Sequence, residues 1–432
     1  MIEKNFQYED KDSVNLAIRI YRFESKKVSG PGSNKRDINH VLWTKKEIID
    51  SLGLNQFEIL KLEKLLNSLR QQNHLMIVPK WKNGQDGFVT KTAETIRLLG
   101  HTYEYWNRGR PGIDATRWEI VPKYIPRRNI SVKNFIERLI HSLENKGIDT
   151  KDSKLAQSCK EVIEGVAGKI AGSNTFFSEF QFDATLKGLL DGLGIGSKKG
   201  SILVAGVGSG KTLAFMLPTL ILAKRDILAG KSEYGAHLFV YPRTALALDQ
   251  FSKSLLPYAI AAGIPENQIH SEMSNNYRKL GHSRVGTGIR SVHNSISKPR
   301  LIITSLETLK RRITHPIIVK KLLNRVNSLT IDEVHLVSGV QGAQIAMLLR
   351  RLRKLCPAQT VWNGASATIA KPEEHLGRLI GCNHKDINLV IADPDDMEID
   401  GVVHHAFIRP SGIISTSGAL VNATSLMIHN RR

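Results

Sequence analysis

Between the apolar run SILV, residues 201–204, and the apolar, helix-patterned LAFMLPTLILA, residues 213–223, lies AGVGSGKT. A β-like run, a glycine-rich turn and a helix in series leave few folds open. Gly206, Gly208 and Gly210 permit a tight loop whose backbone N–H groups converge. The helix behind it adds the partial positive charge of its N-terminus, so the segment suits phosphate oxygens. Lys211 would reach the β and γ phosphates of a nucleotide, and the Thr212 hydroxyl would ligate Mg²⁺. Ala205, Val207 and Ser209 fill the other positions of the loop.

From Ser201 onward short β-rich runs alternate with amphipathic segments: SILVA, HLFVYP, RLIITS, SLTI and TVWNGAS. Strands alternating with helices predict βαβ units and a mostly parallel sheet flanked by helices. The SLTI run ends in Asp332-Glu333-Val334-His335, about 120 residues after Lys211. A phosphate-binding loop needs a neighbouring strand that ends in carboxylates, one for the metal and one for the attacking water. Asp332 is therefore assigned to Mg²⁺, Glu333 to the water and His335 to coupling; zinc binding is not expected of His335.

The partner class follows from charge. Lys and Arg total 61 against 40 Asp and Glu, a formal charge of +21, which points to a polyanion, with nucleic acid first. Cys159, Cys356 and Cys382 lie far apart, without the paired spacing of a zinc site or a disulfide framework. A sparse, odd set fits a reducing cytoplasm. The N-terminus MIEKNFQYEDKD is too polar for a signal peptide, and the run Leu213–Ala223 is too short for a membrane span. A soluble, cytoplasmic protein is expected.

The first part of the chain has a different grammar. SVNLAIRIYR, residues 13–22, has helical patterning. Thr44 with Glu47 and Asn55 with Glu58 have the spacing of helix N-caps, and Gly53 stands where the first of those helices should stop. In the next helix Ile59, Leu62, Leu66 and Leu69 recur at helical spacing. HLMIVP (74–79), a turn at 82–87 and FVT (88–90) predict a hairpin. Helices followed by a hairpin make a winged-helix-like α+β region, whose helix 56–71 could face nucleic acid or serve in packing. Helical patterning resumes at Val132–Asn145.

With Ala205–Thr212 and Asp332–His335 in place, the chain resembles the first motor lobe of a superfamily 2 DEAD/DEAH-box helicase, closest to the Lhr and YprA-like branch. Ser366-Ala367-Thr368 resembles the Ser-Ala-Thr motif that links nucleotide state to nucleic-acid grip. YPRTALALDQ, with Pro242 and Arg243, resembles a strand-binding motif, and ITSLETLKRR, with Thr304 and Ser305, occupies the place of the next. Gln181, beside Phe180, stands where the family has an adenine-reading glutamine. Val207 stands where a threonine is more usual.

The resemblance implies a RecA-like lobe, ATP with Mg²⁺ as ligands, and coupling of hydrolysis to strand binding. Patterning and resemblance together divide the chain into a winged-helix-like region (1–145), a helical linker (146–172), the ATP-binding lobe (173–412) and a truncated start of a second lobe (413–432), the resemblance itself covering roughly residues 175–432. No Gln/His-x-x-Gly-Arg-x-x-Arg segment of a second lobe occurs, so a second-lobe polypeptide in trans is an expected partner. Two rivals stay open: a P-loop ATPase that remodels a protein, and a nucleic-acid-binding protein that holds ATP without turnover.

Overall fold

The computed structural model describes residues 11–29, 38–95, 97–98, 113–149, 154–171, 175–196, 198–206, 208–231, 234–272, 299–316, 319, 322–367, 369–410 and 415–430. The chain forms two units, Met1–Tyr124 with Glu398–Arg432, and Ile125–Met397.

The first unit begins with α1 (Lys11–Ser29), α2 (Lys45–Leu52) and α3 (Gln56–Gln71), followed by an antiparallel hairpin of β1 (Leu75–Lys82) and β2 (Gln85–Thr90). Local chemistry sets each boundary. The Thr44 hydroxyl accepts the Glu47 N–H at 3.1 Å, while the Glu47 carboxylate takes the Lys27 ammonium at 2.6 Å and does not complete a reciprocal cap. Asn55 and Glu58 do form the full capping box. Gly53 ends α2 at φ +59°, a conformation strained for any side chain. The hairpin turn is tighter than the expected 82–87, because Asn83 and Gly84 both take positive φ and connect the strands in two residues.

Trp43, Ile48, Leu62, Leu69 and Val89 form the centre of this unit. Glu24 is buried among them, accepting Trp43 Nε1–H at 2.8 Å, Thr90 N–H at 2.8 Å and the Thr90 hydroxyl at 2.6 Å. Burial pushes its carboxyl up to about 7 despite those three donors. Next along the chain is β3 (Ile113–Pro126).

The second unit opens with β4 (Arg128–Ser131), α4 (Val132–Glu144), α5 (Lys154–Ile170), β5 (Phe176–Ser178) and α6 (Glu179–Gly192). It continues as β6 (Gly200–Val204), α7 (Lys211–Leu228), β7 (Ala236–Tyr241), α8 (Thr244–Gln250), α9 (Leu256–Ala261), β8 (Ile269–Glu272), β9 (Leu301–Ser305) and α10 (Leu306–Arg312). It closes with β10 (Val326–Ile331), α11 (Gly339–Leu355), β11 (Val361–Ser366), α12 (Pro372–Ile380) and β12 (Ile387–Ile391). Seven strands form one sheet in the order β12-β6-β11-β10-β7-β9-β8. Every pairing in it is parallel.

Strand alternation divides the core into two layers. Leu203, Phe239, Tyr241 and Ile303 face the cluster containing α5, α6 and α7, while Ile202, Val204, Leu238, Val240 and Ile302 face α10, α11 and α12. The sheet is thus covered on both sides, as an all-parallel sheet requires.

Residues 146–172, expected as a linker, contribute α5 to this core. Its Leu155, Cys159, Val162, Ile163 and Val166 are buried with α7, and Glu161 pairs with Lys224 at 2.8 Å. The division between units falls at 124/125, not at 145/146, because α4 and α5 bury their apolar faces in the helical layer. β13 (Met397–Pro410) pairs with β3, and α13 (Thr416–Asn430), from the stretch expected to open a second lobe, groups with the first unit. Among the described residues no helix is long and apolar enough to cross a membrane.

Candidate nucleotide site

β6, β11 and β10 are consecutive in the sheet, so the segments leaving their C-terminal ends meet. The loop after β6 turns through Gly208 at φ +86° and Gly210 at φ +80° before Lys211 starts α7. Both angles favour glycine. Gly210 has a second constraint: a Cβ there would lie 2.4 Å from Gln181 Nε2. Ser209 is buried and donates to the Gly206 carbonyl at 2.7 Å. Ala205 is buried, and Lys211 and Thr212 are half-buried. Val207 lies outside the described residues.

Gln181 is buried, and its amide is engaged at both ends. Its Oε1 accepts the Ser178 N–H at 3.1 Å, completing the cap of α6, and its Nε2 donates to the Gly210 carbonyl at 3.4 Å. It fixes α6 to the phosphate loop. One amide N–H and one Oε1 lone pair remain for the adenine-reading role expected of it.

At the end of β10, Asp332 is 7% exposed, its N–H donating to Val240 O at 3.0 Å and its Oδ1 accepting the Glu333 N–H at 2.8 Å. Burial pushes its carboxyl up to about 6, with Glu333 adding repulsion and the Lys211 ammonium drawing it back. A buried carboxylate so poorly neutralised is suited to a cation. Among the described residues no cluster of three His, Cys, Asp or Glu could hold a metal by itself. Asp332 and Thr212 would give a Mg²⁺ only one carboxylate and one hydroxyl, and its other ligands would have to come from phosphate and water.

Glu333 has φ +52°, the left-handed region, which is uncommon outside glycine. Its Oε2 lies 3.4 Å from His335 Nδ1, and that nitrogen lies 3.2 Å from the Ser366 hydroxyl. Ser366 is fully buried, and its carbonyl accepts the Ala205 N–H at 3.2 Å. One residue at the end of β11 therefore touches both the acidic segment and the start of the phosphate loop. Ala367 is half-buried, and Thr368 lies outside the described residues.

The two other strand ends diverge from expectation. Pro242 is half-buried and Arg243 exposed after β7, but Thr304 and Ser305 at the end of β9 are buried. Thr304 donates to the Glu272 carbonyl at 2.8 Å, and the Ser305 hydroxyl lies 3.0 Å from both Thr244 and Thr308 hydroxyls. Thr304 thus ties β9 to β8, and Ser305 links the starts of α8 and α10.

Two residues escaped the sequence reading. Arg128 donates to the Gly208 carbonyl at 3.3 Å, bringing a cation to the phosphate loop from β4, in a stretch with no periodicity to mark it. Tyr241, at the end of β7, is fully buried beside Asp332, and its hydroxyl has no hydrogen-bond partner among the described residues. It passes in the sequence for an ordinary strand aromatic.

The family model for the DEAD/DEAH box helicase matches residues 192–376. The chain is 28% identical over 214 residues to the uncharacterized ATP-dependent helicase YprA of Bacillus subtilis, covering 48% of this chain and 25% of that protein. It is 30% identical over 185 residues to the Lhr helicase of Mycolicibacterium smegmatis, covering 40% of this chain and 11% of that protein. A crystal structure of the DUF1998 helicase MrfA bound to DNA aligns with a TM-score of 0.46 at 22% identity, covering 76% of this chain and 40% of that one. The chain spans a quarter or less of the length of these two sequence relatives.

Proposed function

We propose, from the match of residues 192–376 to the DEAD/DEAH box helicase model, that the chain is the first motor lobe of an ATP-driven helicase or translocase acting on nucleic acid, with DNA favoured. One observation carries the reading: the phosphate loop and the acidic segment leave β6 and β10, the strands on either side of β11, and are bridged at the end of β11 by Ser366, which accepts from Ala205 and approaches His335.

In this reading the loop N–H groups and Lys211 hold the β and γ phosphates of ATP. Thr212 and Asp332 would hold Mg²⁺. When bound, the ion supplies charge neutralisation on the phosphate oxygens. Glu333 takes a proton from the attacking water as its oxygen bonds to the γ phosphorus and ADP leaves with the bridging oxygen. The Glu333–His335–Ser366 contacts give a short route by which the presence of the γ phosphate changes the end of β11. Arg243, exposed beyond β7, would meet a nucleic acid backbone. In the first unit α3 presents exposed Lys64, Asn67 and Gln71, a winged-helix-like surface for the same polyanion. Lys61 pairs with Asp12 at 2.5 Å and is committed elsewhere. A γ-phosphate arginine would come from a second lobe, in the same polypeptide or another, and the working compartment would be the cytoplasm.

The test is ATP hydrolysis by the purified chain, titrated with single-stranded DNA and in parallel with single-stranded RNA, with and without a supplied second lobe. Nucleic-acid-stimulated turnover that disappears in Glu333→Gln is expected. Turnover indifferent to both nucleic acids would favour a protein-remodelling ATPase, and ATP binding with no turnover under any condition would favour a nucleotide-holding nucleic-acid binder.

A further inference from the structure

We propose that Tyr241 is a positioning residue of the nucleotide site, its phenol donating a hydrogen bond to the Asp332 carboxylate, directly or through one ordered water, when the cation-bearing nucleotide is held. The inference rests on the reading of Asp332 as the cation-side carboxylate.

The geometry is set by the sheet. β7 and β10 are neighbours in parallel register, with Val240 opposite Ile331, so Tyr241 and Asp332 are the next residues along and stand side by side at the strand ends. The backbone tie from Asp332 N–H to the Val240 carbonyl fixes that adjacency. Alternation turns Tyr241 toward the face covered by α7, the helix that starts at the phosphate loop, and its ring packs in the same cluster as Ala205 and Leu213.

The chemistry of the hydroxyl is what requires explanation. Tyr241 is 0% exposed, and its oxygen is among the buried side-chain atoms that find no partner among the described residues. A phenol shut away from water without an acceptor is penalised, whereas phenylalanine would fill the same space without that penalty. The surroundings are acidic as well as apolar, since Asp332 and Glu333 are the charged groups that act on the phenol. A neutral donor beside two carboxylates has an evident use. Asp332 Oδ1 already accepts the Glu333 N–H. A second donor on the opposite side would fix the carboxylate plane, as hydrogen bonds behind a metal ligand commonly do.

Wild-type chain, Tyr241→Phe and Asp332→Ala are compared by titrating a fluorescent non-hydrolysable ATP analogue in EDTA and again in Mg²⁺, with Mn²⁺ binding followed by electron paramagnetic resonance and folding by thermal melts. Tyr241→Phe should lower the Mg²⁺-dependent gain in nucleotide affinity and the Mn²⁺ affinity by about tenfold, the scale of loss when a hydrogen bond to a metal-ligating side chain is removed. Its melting temperature should stay level or rise, because an unsatisfied hydroxyl has been removed. A gain kept within about twofold in Tyr241→Phe but lost in Asp332→Ala would overturn the inference and leave the site reading standing, by the same scale. A gain kept in Asp332→Ala would overturn both. Equal weakening in EDTA and Mg²⁺ with a lowered melting temperature would show Tyr241 to be packing alone.

Discussion

Glu333 combines a chemical demand with a conformational one. At φ +52° it holds a backbone conformation that disfavours an L side chain by roughly 1–2 kcal/mol. Glu333→Gly should therefore leave the unfolding free energy of the lobe level or raise it by up to about 1 kcal/mol in urea titrations, while abolishing hydrolysis. Glu333→Gln keeps the volume and removes the proton acceptor, so turnover should vanish with nucleotide affinity retained, measured by steady-state hydrolysis beside equilibrium binding. Lys211→Ala should do the converse, weakening Mg²⁺-ATP binding in a chain whose circular dichroism is unchanged. Equal affinities in the wild type and Lys211→Ala would remove the loop from the nucleotide site.

Two elements carry predictions of their own, and both concern packing that sequence periodicity leaves open. Gly165 in α5 lies against α9 so closely that a Cβ would stand 2.1 Å from the Ala261 carbonyl oxygen. Gly165→Ala should cost about 1–3 kcal/mol of stability in denaturant titrations of the chain, as overpacking does; a free linker helix would gain stability from alanine instead. In α1, Glu24 has a carboxyl raised from 4.5 to about 7. The unfolded chain then ionises at lower pH than the folded one, so the favourable contribution is complete below about pH 4.5 and is lost as pH rises to about 7, by at most about 3 kcal/mol. Glu24→Gln should flatten that slope in thermal melts of the first unit. The strands over SILV, HLFVY, LIITS, SLTI and VWNGAS were legible because buried parallel strands read as apolar runs bounded by turns. β8 was not, since its IHSE has no such run although all four residues are buried. The partner of β3 was not legible either, because β13 lies almost 300 residues away and pairing at that range leaves no local mark. At the site, glycine spacing and the acidic pair revealed the loop and its carboxylates. Nothing local revealed that Thr304 and Ser305 point inward, Gln181 is bonded at both ends, or Tyr241 lacks an acceptor.

Over the whole molecule, charge makes the first demand. A formal +21 spread along the chain predicts binding to single-stranded DNA that is largely indifferent to sequence. If about six phosphates are neutralised, affinity should fall on the order of a thousandfold between roughly 50 and 200 mM salt in fluorescence anisotropy. A flat response would exclude a backbone grip. On the proposed reading the γ-phosphate arginine, worth ~10³ to 10⁵ in rate, belongs to a second lobe, so ATP hydrolysis by the 432-residue chain should rise steeply when such a lobe is added. The strand order has a different consequence, for the birth of the protein. β6 comes first of the seven, yet its two neighbours are β11 and β12, the last to be translated. At ~5–20 residues per second, its two edges wait roughly 10–40 s on the ribosome for residues 361–391, exposing apolar SILV and the early strands to other nascent chains. Stalled nascent chains ending before residue 361 should therefore be protease-sensitive throughout this unit and bound by chaperones, with resistance arriving abruptly once β12 clears the exit tunnel.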